Sequence, residues 1–407
     1  MPDTFQKGFF YLLFLMACKG NALQEPYIQD PQHLVSSESV IRLSADALRY
    51  AVDSLGYGEL RPYITYGLNS YRITYKSQYK GKEVLLSGRL GIPENPAMDP
   101  ALLLVHRGTI IAEENAPSVS FFPQYELLST AGYITFVPDL IGFGASAALD
   151  HPYMIMESSA QAGIDMIKAV QEFLIQEQIP FQRNLYISGY SQGGYSAMAT
   201  AYQYPNQSDL TIKSVIAGAG GYRLSALASQ ILQEKKYESP AFLAYLLYGY
   251  LNHYEENLLE QYILSPYLEE LPARLDGSQS ISQINQWLPD SIAMWLHPMA
   301  IENMKEGRDD FLSEALKANN IPGFCAKFPI LLFHSEADEI IDIKTSHQYL
   351  EAMQEFHNEI SLVTIKDRSH AEAAIPMLQL TLAFLEEKEQ QLMHSFVVTK
   401  TSNLLVK

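Results

Sequence analysis

The residue with the clearest chemical potential is Ser191, the centre of Gly189-Tyr190-Ser191-Gln192-Gly193, a G-x-S-x-G string that occurs once in the chain. A serine hydroxyl is a weak nucleophile at neutral pH and needs an adjacent base, itself oriented by an acid. The residues before it, 184–188, read as a short buried strand, and 194–203 are small and helix-compatible. A serine on such a strand-to-helix turn is held in a strained backbone conformation with its hydroxyl pushed above the sheet. Glycine stands two residues before and two after because a side chain at either place would collide with the neighbouring strand or helix. The bare string also fits an ordinary glycine-rich turn, so its partners decide the reading.

Those partners lie downstream. The apolar run 329–334 reads as a strand leading into Ser335-Glu336-Ala337-Asp338, and 359–365 as a second strand leading into Asp367-Arg368-Ser369-His370. An acid and a histidine thus follow the C-terminal ends of two successive strands, where open α/β sheets place their sites. The stretch between them accommodates one helix, 344–357. Asp338 is the favoured acid because it stands where the loop turns back over the sheet. Glu336 and Asp342 compete with it, as solvated loop charges or helix caps. His370 is the candidate base; His334 reads as a buried strand-end residue, and His347 and His357 fall on the intervening helix. A further strand, 101–105, runs into His106-Arg107-Gly108-Thr109. The backbone N–H groups of Gln192 and of Gly108 or Thr109 are the candidate donors to a developing oxyanion.

Taken together, these stretches resemble the α/β-hydrolase superfamily and, more narrowly, secretory lipase and related bacterial lipase-like serine esterases. The resemblance rests on the His-Arg-Gly-Thr loop (106–109), Val137-Pro138-Asp139-Leu140-Ile141-Gly142-Phe143-Gly144-Ala145-Ser146 with His151-Pro152-Tyr153, and Gly189 to Gly194. The Ser335–Asp338 and Arg368–His370 loops complete it. The family usually carries His-Gly before the oxyanion loop, where Arg107 intervenes here. The resemblance implies carboxylic ester hydrolysis through a Ser191–His370–Asp338 triad and an acyl-enzyme, with no cofactor and no metal. A peptidase or amidase on the same fold, or an inactive hydrolase-fold binding protein, are the alternatives. It also implies a mostly parallel eight-stranded sheet with helices on both faces and a helical cap insertion.

The elements that must position these residues follow from the rest of the chain. Residues 71–75 and 84–90 alternate around Tyr79-Lys80-Gly81-Lys82 as an antiparallel pair; strands at 101–105, 133–137, 185–189, 212–217, 329–334 and 359–365 complete eight, with a helix at 160–178. The core is expected at 41–221 and 327–390. Residues 222–326 show helical patterns, no strong strand and many tyrosines, and are assigned to the cap. Tyr190, beside the serine, and Tyr248, in the cap, are the candidate substrate contacts.

At 407 residues with 47% hydrophobic content the chain can bury a large core. Its formal net charge of -18 argues against nucleic acid or an anionic membrane surface as partner. The N-terminus reads as a lipoprotein-type signal peptide (1–17): an apolar run, 9–17, too short to span a bilayer, ends in Leu15-Met16-Ala17-Cys18. Cys18 is then the lipidated residue of an exported, membrane-anchored protein; secretion after ordinary cleavage is the alternative. Cys325 is the only other cysteine, so no disulfide is expected within the mature chain. Residues 18–40 are read as a tether and 391–407 as a C-terminal tail.

Overall fold

The computed structural model describes residues 32–120, 124–204, 209–234, 236–306, 308 and 310–387. Strand β1 (Leu34–Leu43) leads to helix α1 (Ala45–Ser54), capped by the Ser44 side chain. Strands β2 (Leu68–Tyr79) and β3 (Lys82–Pro93) form the expected hairpin, joined through Lys80 and Gly81, both at positive φ (49° and 69°). A two-residue turn of this hand matches the twist of the flanking strands. The next strands are short apolar runs buried on both faces, the pattern of a parallel centre: β4 (Leu102–His106), β5 (Ile134–Pro138), β6 (Asn184–Tyr190), β7 (Thr211–Gly218) and β8 (Ile330–Ser335). Strand β9 (Ile360–Ile365) closes the far edge.

The strand order is β1-β2-β3-β5-β4-β6-β7-β8-β9, with β1 to β3 and β5 antiparallel in turn and every later pairing parallel. The sheet therefore has nine strands rather than eight. The extra one is β1, which takes in the last seven residues of the expected tether and the first three of the expected core. Its sequence, LVSSESVIRL, is polar enough to pass for a linker, but an edge strand needs a partner on one side only and leaves most of its side chains in water. The Glu172 carboxylate fixes its start by accepting the backbone N–H groups of Gln32, His33 and Leu34. Residues 1–31, with the expected signal peptide and Cys18, and the tail 391–407 lie outside the described residues.

Helices α2 (Met156–Gln176) and α3 (Gln192–Gln203) cover one face of the sheet. A helix at 374–387 covers the other, where Leu103, Val105, Phe333 and Met377 meet. Between β7 and β8 the described chain is helical: α4 (Leu224–Gln233), α5 (Pro240–His253), α6 (Leu259–Tyr262), α7 (Tyr267–Arg274), α8 (Ile281–Trp287), α9 (Pro298–Lys305) and α10 (Asp310–Ala318). Fully buried Trp295 and Leu247 tie this segment into the same apolar core as α2 and α3. Helix α11 (Lys344–Gln354) joins β8 to β9. Among the described residues no helix is long and apolar enough to cross a membrane.

Candidate active site

The turn between β6 and α3 is built by close backbone approach. A Cβ on Gly189 would stand 2.1 Å from the Gly193 carbonyl oxygen, and one on Gly193 would stand 2.0 Å from that of His106. Only hydrogen fits at either place. Ser191 itself adopts φ 60°, ψ −125°, a region that side chains rarely occupy, and its N–H is tied to the Gly218 carbonyl at 2.9 Å. The strain places its hydroxyl 2.8 Å from Nε2 of His370.

His370 arrives on the loop after β9, and Asp338 on the loop after β8. Asp338 Oδ2 lies 2.7 Å from His370 Nδ1 and 3.3 Å from Nε2 of His334, while Oδ1 accepts the N–H groups of Ile340 (3.0 Å) and Ile341 (2.8 Å). Burial by itself would push this carboxyl up. The hydrogen bonds from His334 and His370, the charge on His370 and the Ile341 N–H outweigh it, and the group stays well below the usual carboxylate range. An ionised Asp338 makes His370 Nδ1 the donor, which leaves Nε2 free to accept the Ser191 proton. The two competing carboxylates are elsewhere: Glu336 accepts from Thr364 Oγ1 at the surface, and Asp342 accepts the Lys344 N–H at the start of α11.

The loop after β4 passes beside the serine. The backbone N–H groups of Thr109 and Gln192 have no acceptor among the described residues, Gln192 being the first residue of α3, where helix N–H groups are unsatisfied and the dipole favours negative charge. Gly108 departs from expectation. Its N–H is directed at the Tyr125 hydroxyl, 3.4 Å away, and a Cβ there would meet only ordinary contacts at 3.6 Å and beyond. Thr109 is therefore the donor that this loop offers. Arg107 is buried behind it, donating to the carbonyls of Gly108 (3.0 Å) and Asp139 (2.7 Å) and lying over the Phe143 ring. The inserted arginine thus braces the loop.

The profile of the secretory lipase family matches residues 122–388. The chain belongs to that family. No curated protein matches the sequence. Among solved structures, a protein of Legionella pneumophila superposes with a TM-score of 0.80 at 23% identity, covering 88% of this chain and 99% of that one. The rice cell wall degrading esterase LipA from Xanthomonas oryzae gives 0.77 at 20%, covering 90% and 100%. Candida antarctica lipase A in its closed state gives 0.65 at 16%, covering 88% and 82%. At such identities the likeness carries the fold, and the α/β-hydrolase fold with its mostly parallel sheet is common to all.

The space before Ser191 is a narrow pocket of about 50 Å³ with an open mouth. Thr109, Tyr153, Gln192 and Ser191 form its floor. Leu224, Leu227, Ala228 and Ile231 of α4, Phe242, Leu243 and Leu246 of α5, and Ile340 and Ile341 form apolar walls, with Tyr237 among them. The α4 residues fall at i, i+3, i+4 and i+7, one helix face, and that spacing was available in the sequence.

Two expected substrate contacts are corrected. Tyr190 points behind the site: its hydroxyl donates to the His370 carbonyl (2.7 Å), its ring lies 5.1 Å from the His370 ring, and it borders a small cavity beneath the turn. A residue next to a nucleophile on a strand projects to the opposite face of the sheet. Tyr248 is half-buried on α5 but does not line the pocket, because 242, 243 and 246 take the inner face and 248 falls nearly opposite 246.

Sequence reasoning gave no role in the site to four residues that hold it together. His334 reaches Asp338 as well as the Ile341 carbonyl (2.8 Å) and Ser346 (2.7 Å). Glu339 accepts the His370 N–H at 2.9 Å. His151 donates from Nδ1 to the Ile141 carbonyl (2.6 Å) and accepts the Gln192 amide at Nε2 (2.9 Å), and Tyr153 meets Thr109. Burial first, and then the Arg107 charge, push His151 down to about 3, so it is a neutral bracket.

Proposed function

We propose that this secretory lipase cleaves carboxylic esters through an acyl-enzyme on Ser191. His370 takes the serine proton as Oγ bonds to the carbonyl carbon, and the carbonyl π pair moves onto oxygen. That oxyanion is held by the backbone N–H groups of Thr109 and Gln192. Collapse expels the alcohol, which takes the proton from His370; water then repeats the sequence to release the acid. Asp338 fixes the working tautomer and balances the imidazolium. The observation that carries this reading is the unbroken run of hydrogen bonds Ser191–His370–Asp338, with two free N–H donors beside the nucleophile.

The apolar walls contributed by α4 and α5 favour an acyl chain as the group bound before Ser191. The test is a p-nitrophenyl ester series from acetate to palmitate, with an aminoacyl anilide as control for amide cleavage. Wild type is expected to turn over esters and to be labelled by a fluorophosphonate. Ser191→Ala is expected to lose labelling and at least about 10³-fold in turnover with an unchanged melting temperature. A Ser191→Ala enzyme retaining a tenth of wild-type turnover removes the mechanism. The N-terminal segment is read as an export signal with lipidation at Cys18; loss of metabolic fatty-acid labelling in Cys18→Ser checks it, and unchanged labelling refutes it.

A further inference from the structure

Resting on the ester-hydrolysis reading, we propose that the Thr109 hydroxyl is a third donor to the oxyanion, aimed there by the Tyr153 phenol. Thr109 shares the pocket floor with Ser191 and Gln192, and its Oγ1 lies 2.9 Å from the Tyr153 hydroxyl. Neither hydroxyl has another partner among the described residues. A phenol is a better hydrogen-bond donor than an aliphatic alcohol, so the shared bond carries the Tyr153 proton to Thr109 Oγ1. Thr109 keeps its own proton, and with Tyr153 on one side, the open direction left to it is the pocket. Burial pushes the Tyr153 hydroxyl up to about 12, against the opposing pull of the Thr109 bond and the Arg107 charge, so it remains a donor throughout the neutral range.

The phenol is itself fixed. Its ring stacks on Tyr245 with centroids 4.9 Å apart and planes at 27°, and His151 flanks both. His151 in turn holds the Gln192 side chain. One buried aromatic group thus braces the residues on both sides of the forming oxyanion, which is the preorganisation that electrostatic catalysis requires. The hydroxyl donates without transferring its proton. The serine proton still goes to His370, and the extra bond strengthens only as the π pair arrives on the carbonyl oxygen.

A donor engaged chiefly in the transition state lowers kcat when lost and leaves KM nearly unchanged. The experiment compares wild type, Thr109→Val, Thr109→Ser, Tyr153→Phe and Thr109→Val/Tyr153→Phe on p-nitrophenyl butyrate, and measures inhibition by an aliphatic trifluoromethyl ketone, which mimics the tetrahedral adduct. Thr109→Val is expected to lose roughly 10- to 300-fold in kcat with KM within about threefold, and to bind the ketone weaker by a similar factor. Thr109→Ser should stay within about fivefold of wild type. Tyr153→Phe should lose less than Thr109→Val and add nothing in the double variant. Thr109→Ala carries the same expectation as the valine variant if the latter does not fold. A Thr109→Val enzyme within threefold of wild type, a serine variant as poor as valine, or an additive double variant overturns the proposal. With wild type active and Ser191→Ala dead, such a result removes the third donor alone. A wild type that neither hydrolyses esters nor takes the fluorophosphonate label overturns the ester reading and this inference together.

Discussion

Replacing Asp338 by asparagine changes one atom and leaves no satisfactory arrangement. Four donors converge on the carboxylate: Ile340 and Ile341 N–H on Oδ1, His370 and His334 on Oδ2. Asparagine offers one acceptor and one donor. If its amide nitrogen replaces Oδ1, it faces two N–H groups of its own loop. If it replaces Oδ2, His370 must accept at Nδ1, which puts a proton on Nε2 toward Ser191 and removes the base. Either outcome leaves buried donors unmatched, because the Asp338 side chain is fully buried. The expected cost is about 1–3 kcal/mol of stability for the unmatched groups, and about 10⁴-fold in kcat for the wrong tautomer. Glu336→Gln keeps an oxygen to accept the surface bond from Thr364, and Asp342→Asn keeps one to accept the Lys344 N–H at the start of α11, so both should stay within about threefold. The assay is kcat on p-nitrophenyl butyrate with thermal melting of each variant. An Asp338→Asn enzyme retaining more than about 1% of wild-type kcat, or a larger loss from Glu336→Gln or Asp342→Asn, refutes the argument.

Two further outcomes are expected. Each acyl methylene buried against α4 and α5 is worth about 0.8 kcal/mol, so butyrate should exceed acetate by roughly 15-fold in kcat/KM. Leu246→Trp should erase most of that gain and Tyr248→Ala none of it, and equal slopes for wild type and Leu246→Trp would move the acyl site elsewhere. Glu126, buried beside Arg89 and taking the Ser70 hydroxyl, is pushed up to about 7 by burial, against the Ser70 bond and the Arg89 charge. A carboxyl raised in the folded state contributes stability that is full below its unfolded value and is lost as pH rises through about 7, on the order of 3 kcal/mol in all. Denaturant midpoints should therefore fall between pH 4.5 and 7.5 in wild type and change less in Glu126→Gln; parallel profiles would contradict the assignment.

The parallel half of the sheet could be read from the sequence because strands buried on both faces must be nearly all apolar, as in Leu102–His106 and Ile330–Ser335. The hairpin was legible for a local reason, since Lys80-Gly81 between alternating segments forms a turn whatever the rest of the chain does. The edge strand β1 was not. Its stability comes from β2 and from Glu172, which is far away in sequence, and its own residues carry no apolar alternation. A strand held by its neighbours leaves little trace in its composition.

The same division runs through the site. Ser191, Asp338 and His370 could be located because each sits at a point fixed by topology, the C-terminal end of a parallel strand, and because the close approach at Gly189 and Gly193 forces those residue types. The pocket obeys a different rule. Tyr190 stood out for lying beside the serine and Tyr248 for being an aromatic of the expected cap, yet direction decides contact, and strand alternation turns one away while the helix period turns the other. The supporting groups were hidden for a third reason. His334, His151 and Tyr153 act by pairing with residues 4, 41 and 44 positions away, and a buried histidine that braces a catalytic group has the same sequence signature as one that merely ends a strand. What separates them is which lone pair faces which proton. For His151 that is Nδ1 spent on the Ile141 carbonyl and Nε2 left for Gln192, so that the first residue of α3, whose N–H is free, is tied to the loop that follows β5.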